Sequence, residues 1–140
     1  MADDSEGIQE LANVVLFADL TRPELQEVNR LFDEEFFEQD RRVLRRGIGG
    51  SNFHVIVEGE AAVRVDDHEL ERLSAGGFFG EMTLLLGEPP SADVIAITPL
   101  RCRVLSGDQF ESFLIEHPRV MYRMLQAQAH RHKVPERWTD

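Results

Sequence analysis

Apolar residues recur at a helical period near both ends of the chain and at a period close to two between them. Ile8 to Leu16 carries apolar positions at helical spacing. Thr21-Arg22-Pro23-Glu24 has the form of a capping box, with Thr21 as N-cap and Glu24 reaching back, and Leu25, Val28, Leu31 and Phe32 then share one face. From Phe36 to Leu105 the period shifts, punctuated by Gly47, Gly49-Gly50, Gly59, Asp66-Asp67, Gly76-Gly77 and Pro99. Many short strands with close turns predict a sandwich or jelly roll. Ser106-Gly107-Asp108-Gln109 predicts a second capping box before a helix that buries Phe110, Phe113 and Leu114. Pro118 starts another, with an apolar stripe of Val120, Met121, Met124 and Leu125, ending near Lys133 ahead of Pro135. Residues 1–7 form a polar, acidic leader, 8–133 one domain, and 134–140 a tail.

A chain of 140 residues buries enough surface for one domain without disulfides or metals. The lone cysteine, Cys102, sits in a strand-like alternation and is expected to be a small buried thiol. No secretory, spanning or lipidation motif is evident, which sets the expectation of a cytoplasmic protein without membrane association. The net charge is −11, unevenly spread. The first 40 residues hold 12 Asp and Glu against Arg22 and Arg30 alone, a balance of −10 that repels nucleic acid. Near the C terminus Arg119, Arg123, Arg131 and Lys133 lie beside His117, His130 and His132. These cations fit a solvated helix end complementing its dipole better than a DNA-binding patch. The residues after that helix are too few for a helix-turn-helix, so no direct DNA binding is expected. In Val94-Ile95-Ala96-Ile97 apolar residues fall on both strand faces, so the outer face should be covered by the N-terminal helices, or by a partner or second copy.

The segment with the most chemical content runs Phe79-Gly80-Glu81-Met82-Thr83-Leu84-Leu85-Leu86-Gly87-Glu88-Pro89-Pro90-Ser91-Ala92-Asp93-Val94. A strand ending at Phe79, a glycine and a short helical turn with unpaired N–H groups suit an anion. The segment nevertheless carries Glu81, Glu88 and Asp93 and no Lys or Arg, so its own field opposes one.

This pattern resembles the signature of the cyclic nucleotide-binding domain family, which includes the bacterial cAMP receptor protein, kinase regulatory subunits and gated channels. The resemblance covers about Leu11 to Lys133. Val15-Leu16-Phe17-Ala18-Asp19-Leu20 opens it, the stretch Phe53 to Val63 is similar to the family's glycine-turned hairpin, Leu73 to Phe78 to the approach to the cassette, and Leu105 to Phe110 to the start of the closing helices. It implies a mainly β fold with flanking helices, an antiparallel β jelly roll with N-terminal and C-terminal helices, and a regulatory, signalling, ligand-binding role. It also implies a phosphate and ribose pocket at Phe79, Gly80, Glu81, Met82, Thr83, Ser91 and Ala92, with Glu81 accepting from the ribose hydroxyl. The position of the family's phosphate-pairing arginine is Pro90, which has neither a guanidinium nor an N–H. Removing one partner of such a pair costs about 2–5 kcal/mol. The resemblance therefore implies a cyclic nucleotide (cAMP or cGMP) as ligand, while Pro90 implies weak or lost binding, or a different, neutral or cationic small molecule that uses Glu81 as its acceptor. Two other readings stay open: a sensor whose arginine comes from elsewhere, with Arg64, Arg101, Arg103 and Arg123 as candidates, or a module for protein interaction, dimeric through its last helix. In each case signalling passes through a separate output protein.

An enzyme is the lesser reading. A cupin-like metal site needs at least two placed histidines, and His54 and His68 do not form the required pair. His54 stands where the resembled family carries an aromatic, which favours packing. Ser91, Ser106 and Ser112 lack a glycine-framed elbow. No catalytic residue, metal or other cofactor is expected.

Overall fold

The computed structural model describes residues 4–49 and 52–131. Helix α1 (Ser5–Ala12) is followed by a 3₁₀ turn at Val15–Phe17 and helix α2 (Arg22–Leu31). The helical pattern from Ile8 to Leu16 is thus broken at Asn13, whose N–H closes back on the Glu10 carbonyl. Helix α1 begins inside the expected leader, at Ser5, and its Gly7 packs closely on α2, where a Cβ would lie 2.6 Å from Asn29 Oδ1. The tail 134–140 and the expected helix end near Lys133 lie outside the described residues. The Thr21 box forms as anticipated: the Glu24 N–H donates to Thr21 Oγ1 and the Thr21 N–H to Glu24 Oε1 at 2.9 Å.

Among the described residues eight antiparallel strands make two four-stranded sheets, the jelly-roll arrangement expected. One holds β1 (Asp33–Phe37), β8 (Leu100–Ser106), β3 (Asn52–Glu58) and β6 (Phe78–Phe79), in that order; the other holds β2 (Arg42–Leu44), β7 (Asp93–Ala96), β4 (Ala61–Val65) and β5 (His68–Leu73). The stretch from Phe53 to Val63 is not a paired hairpin, since β3 and β4 belong to different sheets. Gly59 makes the crossing possible: its φ is +97°, and a Cβ there would stand 2.3 Å from the Pro99 carbonyl oxygen.

Two apolar clusters fill the interior. The larger joins α1, α2, β3 and the C-terminal helices α4 (Gly107–Glu116) and α5 (Pro118–Arg131) around Phe17, Phe32, Phe53, Phe110 and Phe113. The smaller lies between the sheets, around Phe37, Ile56, Phe79, Val94, Leu100 and Cys102. Burial and the charge of Glu35 push the Cys102 thiol up to about 12, which leaves it inert at neutral pH. The second capping box does not form. Ser106 closes strand β8 opposite Asn52, and the first helical N–H, that of Gly107, is taken by Asn52 Oδ1 at 3.3 Å. Ile95 of β7 and Ile97 just beyond it are half-buried, and the N-terminal helices that were expected to cover them pack in the other cluster.

Candidate functional site

Strand β6 pairs with β3, setting His54 opposite Phe79 and Val55 opposite Phe78. The chain then turns at Gly80, whose φ of +95° and closeness to the Asn52 carbonyl (a Cβ would lie 2.5 Å away) exclude any other residue without strain. Helix α3 (Glu81–Leu86) follows and stops at Gly87, also left-handed. From there the chain returns through Pro90 to β7, fastened where the Gly47 N–H donates to the Pro90 carbonyl at 2.8 Å.

This path brings Phe79, Gly80, Glu81, Met82, Thr83, Pro90, Ser91 and Ala92 around one cavity of about 110 Å³. Leu44, Val63, Leu73, Phe78 and Val94 supply its apolar wall. Two further charged groups complete it, Glu71 from β5 and Arg131 from the last described turn of α5. Glu81 is 2% exposed, and its Oε2 accepts from Gln128 Nε2 at 2.7 Å and from Arg131 Nη1 at 3.1 Å. Arg131 also reaches Glu71 at 3.5 Å and lays its guanidinium over the Phe78 ring, 5.5 Å from the centroid. A buried carboxylate needs such partners, because leaving it unpaired would cost several kcal/mol. The cation absent from the cassette therefore arrives from the end of α5, already shared between two carboxylates.

None of the four arginines proposed from the sequence reaches the cavity. Arg101 is held by Glu10, Glu34 and Glu58, with the Glu10 hydrogen bond 2.9 Å from Nη1. Arg103, 7% exposed, donates to Asn29 Oδ1, the Asn29 carbonyl and the Phe32 carbonyl at 2.7–2.8 Å. Arg123 makes a forked pair with Asp19, both bonds 2.8 Å, and Arg119 joins them at 2.9 Å. The two guanidiniums hold the Asp19 carboxyl far below its ordinary range. Arg64 does not line the cavity. The cations near the C terminus are thus largely engaged: Arg119, Arg123 and Arg131 each hold a carboxylate. Asp93, expected to repel an anion, instead accepts the Arg46 backbone N–H at 2.7 Å and faces Arg42 at 3.6 Å.

Gln128, Arg131 and Glu71 were missed in the sequence. A signal for two of them existed. The buried stripe Val120, Met124 continues at helical spacing through Gln128 and Arg131, so polar residues follow the apolar ones on the face that meets Glu81. His54 packs as anticipated, its ring stacked on Phe79 at 4.6 Å and 8°. Burial lowers its imidazole to about 4, the Asn52 carbonyl offsetting only part of the effect. Among the described residues no group of three or more His, Cys, Asp or Glu is placed to hold a metal ion, and no helix is long and apolar enough to cross a membrane.

Comparison with known proteins agrees with this architecture. The chain is 31% identical over 108 residues to a cAMP-dependent protein kinase regulatory subunit of Mucor circinelloides, covering 74% of this chain and 25% of that protein. It is 35% identical over 112 residues to a cyclic nucleotide-gated potassium channel of Rhizobium etli, covering 80% and 31%. It therefore spans about a third or less of these curated relatives. Among solved structures, a triple mutant of the regulatory subunit of a cAMP-independent protein kinase A from Trypanosoma brucei, bound to cAMP in its A site, superposes with a TM-score of 0.76 at 26% identity, covering 87% of this chain and 45% of that one. The profile of the cyclic nucleotide-binding domain matches residues 34–117, more than half of the chain, from the first residues of β1 to the end of α4. With the jelly roll, the cassette turn and the closing helices all in place, this chain belongs to the cyclic nucleotide-binding domain family.

Proposed function

We propose that this chain is a non-catalytic regulatory module whose cassette cavity has weak or no affinity for cAMP and cGMP and is occluded by its own last helix. The observation that carries this reading is the Gln128–Glu81–Arg131 cluster. The carboxylate assigned to the ribose is already engaged, and the cavity wall holds Glu71 and Glu81 against one guanidinium. Pro90 is buried in that wall and offers no counter-charge. About 110 Å³ is also well below the 300–1,000 Å³ usual for a ligand pocket. The residues present therefore do not fit a cyclic phosphate. The cAMP-bound Trypanosoma brucei mutant has an arginine among its three substitutions, which accords with a missing cation being the obstacle in a cAMP-independent relative. Residues 8–133 would act as one domain in the cytoplasm, delivering their signal to a separate output protein.

A second reading rests on Arg131: a genuine sensor would release this arginine from Glu81 to a phosphate. Calorimetric titration with cAMP and cGMP separates the two. The first predicts no saturable heat at millimolar ligand for the natural chain and gained binding for Pro90→Arg, by about 30-fold to a few thousandfold. The second predicts binding by the natural chain that is lost in Arg131→Gln. In the occluded form, Arg131→Gln would leave affinity unchanged or raise it.

A further inference from the structure

A second recess lies beside the cassette cavity and shares Leu44 with it. It opens between β1, β2 and β3, with a volume of about 330 Å³. Its walls carry Arg41, Arg42 and Arg45 against one carboxylate, Glu35. In a chain of net charge −11 this is a local reversal. It does not arise from ion pairs built for stability. Arg41 makes only a cation–π contact with Phe37, 5.6 Å from the ring centroid; Arg45 has no ion-pair partner among the described residues; Arg42 holds Asp93 loosely at 3.6 Å. The fourth arginine of the run, Arg46, turns away to Asp66 at 3.4 Å.

The recess is polar on one side and apolar on the other. Phe37, Val43, Leu44 and Ile48 contribute apolar wall, and Ile48 is 58% exposed. His54 forms part of the lining, 5% exposed and stacked on Phe79. Guanidiniums are the side chains best suited to planar oxyanions, through paired N–H donors.

From this juxtaposition we infer that the recess is a second ligand site, distinct from the cassette cavity, for a small organic anion. Arg41, Arg42 and Arg45 grip its phosphate or carboxylate group, and the Phe37, Val43, Leu44, Ile48 wall takes its apolar body. Size argues for a small molecule over a macromolecular segment. A dry cavity of about 150 Å³ is known to admit benzene, so 330 Å³ holds one ring with an anionic group and little more. Glu35 opposes the anion and favours ligands whose charged group sits toward the arginines.

Titration of the full chain with phenyl phosphate, benzoate and inorganic phosphate, followed by calorimetry and amide NMR shifts, tests the site. Saturable binding of phenyl phosphate or benzoate, tighter than that of inorganic phosphate, is expected, and whichever aromatic anion binds more tightly identifies the preferred oxyanion. The double variant Arg41→Gln, Arg45→Gln should lose about tenfold in affinity. Both side chains are exposed, so an unchanged melting temperature keeps that comparison valid. Arg131→Gln should leave this binding unaltered, which separates the site from the cassette. Absence of saturation at millimolar concentration, equal binding of inorganic phosphate, undiminished binding by the double variant, or binding of an acidic peptide alone would each overturn the assignment.

Discussion

The helix-covered cluster and the cassette face differ in how fully their side chains are committed. On the helical side, phenylalanine rings meet edge to face, Phe17 with Phe32 at 5.8 Å and Phe32 with Phe113 at 5.3 Å. Arg103 caps three backbone and side-chain oxygens there, and Asp19 ties the 3₁₀ turn region to α5 through Arg119 and Arg123. On the cassette side Met82, Leu85 and Leu86 stand 38–58% exposed, and one small cavity is closed by a carboxylate-bound arginine. Tight packing and loosely held side chains thus fall in different parts of one small domain. Local opening is expected first where contacts are few.

The contrast is broken most directly by Phe113→Ala. Losing this fully buried ring should cost about 3–5 kcal/mol in denaturant unfolding. A loss below 1 kcal/mol would show that the aromatic cluster is not the stabilising centre.

The next effect concerns His54, which lies between the two regions. Its imidazole sits at about 4 in the folded chain against 6.5 for the ordinary group. Between those values the unfolded chain binds a proton that the folded chain does not, so stability is fully present above pH 6.5 and falls as pH drops toward 4. The loss should approach about 3 kcal/mol. His54→Phe, which preserves the stack on Phe79, should flatten this part of the profile, and comparing the two unfolding curves removes the carboxylate contributions that begin at lower pH.

Smaller still is the cap of α2. Thr21→Ala should cost about 1 kcal/mol, and the shift in midpoint denaturant concentration measures it. Smallest is Leu85→Ala on the cassette helix, 50% exposed, which should change stability by no more than about 0.5 kcal/mol. If Leu85→Ala proved as damaging as Phe113→Ala, the division between the two regions would not hold.

Much of this was legible locally. The Thr21 box, the start of α5 at Pro118, the burial of Phe110, Phe113 and Leu114, and the glycine turn at Gly80 depend on neighbours within a few residues. The failures share a different cause. Ser106 lost its predicted role as a cap because the side-chain oxygen of Asn52, from a distant strand, accepts the first helical N–H instead. The Gly59 turn crosses between sheets because pairing partners are chosen across the whole chain.

The same division runs through the site. By itself the sequence determined the cassette turn, the acidic character of its segment and the absence of a guanidinium at Pro90, since these are matters of residue identity and adjacent backbone geometry. Only the tertiary structure decided that Arg131 and Gln128 reach Glu81 from 47 to 50 residues away, and that Arg41, Arg42 and Arg45 ring a separate recess. A charge acts over a few ångströms of space regardless of its distance along the chain, so its partner is known only once the chain has folded.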